Sequence, residues 1–261
     1  MNTPRLLVIG ATGKTGRRVT ARLGAGGHTV RAVSRGSVPP FDWEVPGTWG
    51  PVLEGIDRAY VTFVPDLAAP GAVDTITAFT QAAADAGVQR LVLLSGRGEP
   101  GAEACEQVLV TSALEHTIVR ASWFAQNFTE GHLVDGVREG VIALPAGDVR
   151  EPFVDVDDIA DVVVAALTQD HHVGRLYEVT GPRLLSFAEA AAVLGVTYVP
   201  VTTDEFRAAM TEIAGPDYAA MLTDLCDEVL DGRNESVAQG VQQALRRAPR
   251  EFADVIGGSR G

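Results

Sequence analysis

Apolar runs of four to six residues alternate along the chain with longer amphipathic stretches. The first run, Leu6-Leu7-Val8-Ile9, is apolar at every position, as expected of a strand buried on both faces. Apolar spacing then predicts a helix over 14–23, a strand over 28–34, a weaker helix over 48–54 and a strand over 58–63. The rhythm continues with a helix over 72–86, a strand over 89–95, a helix over 102–113 and a short strand over 117–120. Such alternation implies right-handed crossovers and a doubly wound parallel sheet, an α/β fold of Rossmann type. One region breaks the pattern. Residues 36–50 carry Pro39, Pro40 and Pro46 with Trp43 and Trp49, so a short strand near Phe41-Asp42-Trp43 and an irregular connection are expected there.

Beyond residue 120 the pattern loosens. Helices are predicted over 123–139, 156–168, 187–194, 203–214 and 217–230, and short strands over 141–144, 176–179 and 197–201. The expected organisation is a core over 1–150, its sheet completed by parts of 151–182. A small, mostly helical lobe over 183–261 would lie over the carboxyl edge of the sheet and take the substrate. That edge is where α/β proteins bind ligands.

Composition removes several functional classes. The net charge of -13 argues against a nucleic-acid partner, which requires clustered Lys and Arg. No stretch approaches the roughly 20 apolar residues of a membrane span, and Met1 to Arg5 is too short and polar for a signal peptide. The two cysteines, Cys105 and Cys226, have no ligand spacing and read as free thiols. A cytoplasmic protein, monomeric or homodimeric, is expected.

Gly10-Ala11-Thr12-Gly13-Lys14-Thr15-Gly16 falls directly between the first strand and the first helix. In that context three glycines at this spacing form a dinucleotide loop. Gly10 permits the tight turn, Gly13 admits the pyrophosphate, and Gly16 lets the helix pack on the strand. The helix N-terminus, with Thr12, Lys14 and Thr15, faces the phosphates. A Walker loop would need a further glycine where Val8 stands. The second strand ends Val33-Ser34-Arg35, without the acid that binds a ribose 2′-hydroxyl. A guanidinium pairs with a 2′-phosphate, so Ser34 and Arg35, with Lys14 reaching the same group, favour NADP(H) over NAD. The core is therefore expected to be NADP-binding.

The glycine loop, Arg31-Ala32-Val33-Ser34-Arg35 and Leu93-Leu94-Ser95-Gly96 resemble the atypical short-chain dehydrogenase/reductases. Two further segments narrow the resemblance to the NmrA-like branch. One runs from Val119-Arg120-Ala121-Ser122-Trp123 through Phe124-Ala125-Gln126-Asn127-Phe128, and the other is Pro152-Phe153-Val154-Asp155-Val156-Asp157-Asp158-Ile159-Ala160. That branch includes NADPH-dependent quinone reductases, triphenylmethane-dye reductases, aromatic ether reductases and redox-sensing regulators. The similarity extends to about Pro182 and is fainter beyond. In one respect this sequence departs from the wider superfamily. The Tyr-x-x-x-Lys pair of that superfamily would fall near Gly98 and Ala102, and no tyrosine lies between Tyr60 and Tyr177.

Ketone reduction without a positioned acid is slow, because an alkoxide must form. Quinone reduction gives an aromatic oxyanion that water protonates later, so positioning and exclusion of water suffice. Phe63, Trp123, Phe124 and Phe128 are candidate aromatic walls, Phe128 more readily a core residue. The nicotinamide is expected across the strand ends, beside Phe63-Val64-Pro65, Ser95-Gly96-Arg97 and Ala121-Ser122-Trp123. Ser95, Ser122 and Asn127 are the candidate catalytic residues, and Pro65, Arg97, Trp123 and Phe124 the candidate substrate pocket, with Arg97 countering a substrate anion. Capping or loop roles stand beside each of these. Asp155, Asp157, Asp158 and Asp161 read as an N-cap and an acidic helical turn, not as a metal site. His171-His172 reads as a solvated turn and Arg246-Arg247-Ala248-Pro249-Arg250 as a surface patch. Three functions follow: an NADPH-dependent reductase of quinone-like or carbonyl acceptors, a non-catalytic NADP-binding redox sensor, and a biosynthetic ketone or enone reductase. An open aromatic pocket at the strand ends favours an enzyme, and a blocked one a sensor.

Overall fold

Residues Arg5–Ile9 form β1, and its apolar run divides between two cores. Leu7 and Ile9 pack on one side of the sheet, Leu6 and Val8 on the other, and all four are buried. The computed structural model describes residues 4–131 and 133–258. Residues 1–3, 132 and 259–261 lie outside it; they fall in the N-terminal segment, the helix expected over 123–139 and the expected lobe.

After β1 come α1 (Lys14–Ala25), β2 (Thr29–Val33), the short α2 (Trp49–Leu53), β3 (Arg58–Val61), α3 (Ala72–Asp85), β4 (Arg90–Gly96), α4 (Pro100–Thr111) and β5 (Glu115–Ala121). Then follow α5 (Asn127–Glu130), α6 (Val134–Glu139), β6 (Val141–Leu144), β7 (Arg150–Glu151), α7 (Val156–Thr168) and β8 (Arg175–Val179). Six strands pair in parallel in the order β2-β1-β3-β4-β5-β8. The chain moves outward from β1 to β2, then crosses to β3 on the other side of β1. That reversal opens a crevice at the carboxyl ends of β1 and β3. Helices α2, α3 and α4 cover one face through residues such as Leu53, Phe79 and Leu109. Helices α1 and α7 cover the other through Val19, Leu23, Ile159 and Val163. Each fully buried aliphatic side chain of this kind contributes about 1.5–3 kcal/mol. Two faces of that size explain why Leu6 to Ile9 of β1 and Leu91 to Leu94 of β4 read as unbroken apolar runs.

The expected strand near Phe41-Asp42-Trp43 does not form. Phe41, Trp43 and Trp49 instead fold inward and meet Phe79 edge-on. Their polar edges are satisfied locally. The Trp43 indole donates to the Thr62 carbonyl at 3.0 Å, and that of Trp49 to the Asp42 carbonyl at 2.9 Å. An aromatic plug with its N–H groups paired is the stable arrangement for a proline-broken segment that lacks ladder donors.

The continuous helix expected over 123–139 is also absent. Phe124 bridges Val154, and backbone bonds from Ala125 to the Val154 carbonyl and from Val154 to the Trp123 carbonyl hold 123–125 extended. Helical turns begin only at Asn127. The chain then closes so tightly at Gly131 that a Cβ there would lie 2.7 Å from Lys14 Nζ and 2.9 Å from the Asn127 Cα.

The remaining elements are β9 (Leu185–Ser186), α8 (Phe187–Leu194), β10 (Thr197–Pro200), α9 (Thr203–Ala214), α10 (Pro216–Val229), α11 (Gly240–Leu245) and α12 (Phe252–Gly258). A third apolar core joins residues of 125–153 to residues of 185–256. Its centre is the ring cluster of Phe128, Phe153, Phe187 and Phe252. The segment from Ala125 to Ala146, placed with the nucleotide-binding core by sequence, thus packs with the C-terminal helices.

Two polar segments read as surface are structural. His172 is fully buried, its Nδ1 2.8 Å from the Tyr177 hydroxyl, and burial holds its imidazole below the usual value. Arg247 and Arg250 fold back onto α7. They pair with Asp158, which is fully buried, and with Asp161. Asp155 caps α7 by accepting from the Asp157 amide, while Asp157 and Asp161 bind Arg22 of α1. The acidic turn is therefore a docking strip for guanidinium groups from α1 and from the C-terminal tail. Among the described residues, no helix is long and apolar enough to cross a membrane.

Candidate active site

The glycine loop follows β1 as a tight turn. Gly10 has φ +71°, and a Cβ on it would lie 2.4 Å from Thr62 Oγ1. A Cβ on Gly16 would lie 2.2 Å from the Gly10 carbonyl, so helix and turn meet backbone to backbone. The Gly13 amide donates back to the Gly10 carbonyl, and Thr15 Oγ1 accepts from the buried Tyr60 hydroxyl. Gly13 is the N-cap of α1, with no side chain capping the helix and no acid in its first turn. Those features leave the positive end of the helix dipole to an anion.

At the end of β2, Ser34 is half-buried and its backbone is held by Ser37: its amide donates to Ser37 Oγ, which donates back to its carbonyl. Arg35 is exposed, and its guanidinium makes no ion pair among the described residues. Lys14, assigned from sequence to the same corner, points elsewhere. Its Nζ donates to Asn127 Oδ1 at 2.7 Å, and burial holds the ammonium below its usual pKa.

The carboxyl ends of β3, β4 and β5 border a cavity of about 330 Å³. It brings together the sequence-predicted Phe63, Pro65, Ser95, Gly96, Ala121 and Ser122. Trp123, Phe124, Asn127, Lys14 and Arg97 also border it. Val64 lies beside it and is 60% exposed. Gly10, Thr12, Gly13, Ser34 and Arg35 are not part of this wall; they sit along the neighbouring crevice after β1 and β2. Phe128 belongs to the ring cluster of the third core instead.

The polar side chains of the cavity wall are largely committed. Ser95 donates to Glu106 Oε1 at 2.6 Å, and the buried Glu106 also accepts from Arg120. Ser122 donates to the Pro152 carbonyl at 2.7 Å. Arg97 donates to the carbonyls of Asn234 and Ser236 at 2.9 and 2.8 Å and to the Ser236 hydroxyl at 2.7 Å. Its guanidinium fastens the C-terminal segment to β4. Asn127 accepts through Oδ1, which leaves its amide N–H groups as the donors facing the cavity.

Two contributors escape the sequence reading. One is α10, whose Tyr218, Met221, Leu222, Leu225 and Val229 form the opposite wall. Their spacing of three and four residues is a helical stripe, legible as amphipathic but silent on what it faces. This stripe also brings a tyrosine to the site from outside the superfamily position. The second is a carboxyl pair. Glu99 and Asp66 both line the cavity, close enough for the Asp66 carboxylate to act on Glu99. Burial first, then the Asp66 charge, pushes the Glu99 carboxyl up to about 9. Glu99 lies against Gly96 so closely that a Cβ there would be 1.9 Å from its carboxyl oxygen.

Comparison with known proteins supports both sequence and fold. No family model matches the sequence. It is 34% identical to (4-alkanoyl-5-oxo-2,5-dihydrofuran-3-yl)methyl phosphate reductase of Streptomyces griseus, over 95% of this chain and 95% of that protein. It is 29% identical to the uncharacterized oxidoreductase YesF of Bacillus subtilis, over 95% of this chain and 93% of that one. Among solved structures, Citrobacter sp. triphenylmethane reductase complexed with NADP(H) superimposes with TM-score 0.83 at 18% identity, covering 98% and 99% of the two chains. Escherichia coli quinone oxidoreductase QOR2 with NADPH gives 0.81 at 19% identity, covering 97% and 99%. A doubly substituted NmrA gives 0.68 at 16% identity, covering 98% and 95%.

Proposed function

The chain belongs to the NmrA-like branch of the atypical short-chain dehydrogenase/reductases, and from that membership we propose that it is an NADPH-dependent reductase of a quinone or a similarly electrophilic aromatic or carbonyl acceptor. The observation that carries this reading is the open cavity of about 330 Å³ at the strand ends, walled by Phe63, Trp123 and Phe124. That volume is at the small end of the roughly 300–1,000 Å³ typical of ligand pockets and suits one or two rings. An accessible cavity supports turnover over a purely sensing role.

The residues present fit a dinucleotide. A turn packed too tightly at Gly10 and Gly16 for any Cβ, leading into an uncapped helix N-terminus, suits a pyrophosphate. The unpaired Arg35 suits a 2′-phosphate. NADPH bound there supplies a hydride. Lys14 and Asn127 both line the cavity, where they would hold the cofactor's ribose and carboxamide end. Ala121 leaves room for a flat ring, and the α10 stripe keeps water off it.

The 34% identical relative is named for a substrate with an oxo group on a dihydrofuran ring. That relationship favours, as a second reading, reduction of an unsaturated carbonyl compound in biosynthesis. Purified protein should consume NADPH when offered a panel of quinones, cationic dyes, enones and butenolides. Absence of consumption across that panel would sink the reductase reading and leave the sensor.

A further inference from the structure

Without the superfamily tyrosine, reduction of a carbonyl acceptor at this site has no obvious acid, and the structure places another one in the wall. We infer that Glu99, neighboured by Asp66, is the proton donor to the acceptor oxygen; the inference rests on the reductase reading above. Three observations carry it. Glu99 and Asp66 both border the cavity. Their carboxyl groups neighbour each other in the cavity wall, where like charges oppose double ionisation and favour a proton on Glu99. The Glu99 carboxyl also occupies the space over Gly96 that a side chain would fill, at the strand end where the acceptor is expected.

The charges around the pair explain which partner holds the proton. Asp66 on the loop after β3, Glu228 of α10 and Glu106 of α4 all oppose ionisation of Glu99. The cations nearby are turned to other partners: Arg120 to Glu106 and Glu178, Arg97 to Glu178 and the segment at Asn234 and Ser236, Arg233 to Asp231 and the Gly98 carbonyl, and Lys14 to Asn127. Cys105 of α4 stays a neutral thiol, held up to about 11 by burial and then by Asp66 and Glu106. Glu99 is buried, whereas Asp66 is only half-buried and reaches water.

The step balances. The acceptor gains a hydride from NADPH at carbon and a proton from Glu99 at oxygen. The Glu99 O–H bond breaks as the acceptor O–H bond forms, leaving a Glu99 carboxylate, NADP⁺ and the reduced acceptor. A proton from water, entering by way of Asp66, restores the pair. The oxyanion of a hydroquinone or enol is about as basic as such a carboxyl, the match under which proton transfer is most effective.

The test uses Glu99→Gln, Asp66→Asn and Tyr218→Phe in the intact protein, with the acceptor that wild type turns over fastest. The protonated form of Glu99 is the active one, so wild-type kcat should fall as pH rises through about 9. Glu99→Gln should lower kcat roughly a hundredfold or more, with that limb lost and NADPH affinity retained. Asp66→Asn removes the charge that opposes ionisation, so its limb should move to lower pH. Tyr218→Phe should keep the wild-type limb, because the ionising group is unchanged. Infrared difference spectra at neutral pH should show a protonated carboxyl band in wild type that Glu99→Gln lacks, independent of turnover. Retained kcat and pH profile in Glu99→Gln would overturn the inference, as would loss of the limb in Tyr218→Phe or absence of the band. Failure of wild type with every acceptor would overturn the reductase reading and the donor role together, a result separate from an indifferent Glu99→Gln.

Discussion

Lys14 Nζ donates to Asn127 Oδ1 at 2.7 Å, joining the first residue of α1 to the first residue of α5 across 113 positions of sequence. The ammonium is largely out of water, so loss of its acceptor leaves it poorly solvated. Asn127→Leu should raise the dissociation constant for NADPH about tenfold, the equivalent of one charge-assisted hydrogen bond. Calorimetric titration with NADPH measures this directly. An unaltered constant would mean that the pair is only a fold contact.

Arg35 is exposed and unpaired at the end of β2, so its removal leaves the fold intact. Arg35→Ala should weaken NADPH at least about tenfold and leave NADH nearly unchanged, because only the former carries the 2′-phosphate. The ratio of kcat/KM for the two cofactors reads the effect. Equal losses with both would remove Arg35 from the phosphate site.

Glu151 is fully buried, and neither carboxylate oxygen has a hydrogen-bond partner among the described residues. Burial pushes its carboxyl up to about 8, against an opposing pull from Arg97. The folded state therefore favours the protonated form. Below pH 4.5, the ordinary value, the group is neutral whether folded or unfolded, and no penalty exists. Between there and about 8 the unfolded chain ionises first, so stability falls as pH rises. Glu151→Gln should flatten that fall by roughly 2–4 kcal/mol, seen as the difference between urea midpoints at low and high pH. Glu99 adds a slope of the same sign in both proteins, so only the difference between them reports Glu151. Parallel curves for the two would disprove the assignment.

Arg250 binds Asp158, whose side chain has no exposure, and the same Asp158 accepts from Arg247 and from the Arg250 amide. The guanidinium groups are about a third exposed, which reduces their worth through solvent screening. Arg250→Ala should still cost about 1–2 kcal/mol, since it strips a partner from a buried carboxylate. Thermal unfolding of the single and double Arg247/Arg250 variants tests this, with a loss in the pair exceeding either alone.

The sheet was legible because its strands are dry on both faces. Leu6 to Ile9 and Leu91 to Leu94 admit no other reading, and glycine is required at 10 by its positive φ and the Thr62 hydroxyl and at 16 by the backbone of the turn. Local signals failed where a distant partner decided the outcome. Phe41 and Trp43 suit a strand until Phe79 offers them an aromatic pocket. Trp123 and Phe124 suit a helix until Val154 offers them a bridge. His172 and Arg250 look solvated because Tyr177 and Asp158 are invisible from their own neighbourhoods. The cavity was half legible for the same reason. Residues following strand ends could be placed by topology, whereas Glu99, Asp66 and the α10 stripe enter it through tertiary packing.

Arg97 has a mechanical consequence. Its bonds to Asn234 and Ser236, returned by Asn234 Nδ2 to the Arg97 carbonyl, fix the chain just after α10 to the sheet. Gly240 then packs so closely that a Cβ would lie 2.1 Å from the Glu178 carbonyl. Helix α10 is thus pinned to the sheet just beyond its Val229 end, while Ala219, Leu222 and Cys226 seat it in the third core. Tyr218, eleven residues and about 16 Å away along the axis, is the cavity-lining residue of α10 farthest from that pin. Tyr218 is also exposed, so an acceptor would enter from its side, and the fixed height of α10 over the strand ends would set how large an acceptor can be admitted.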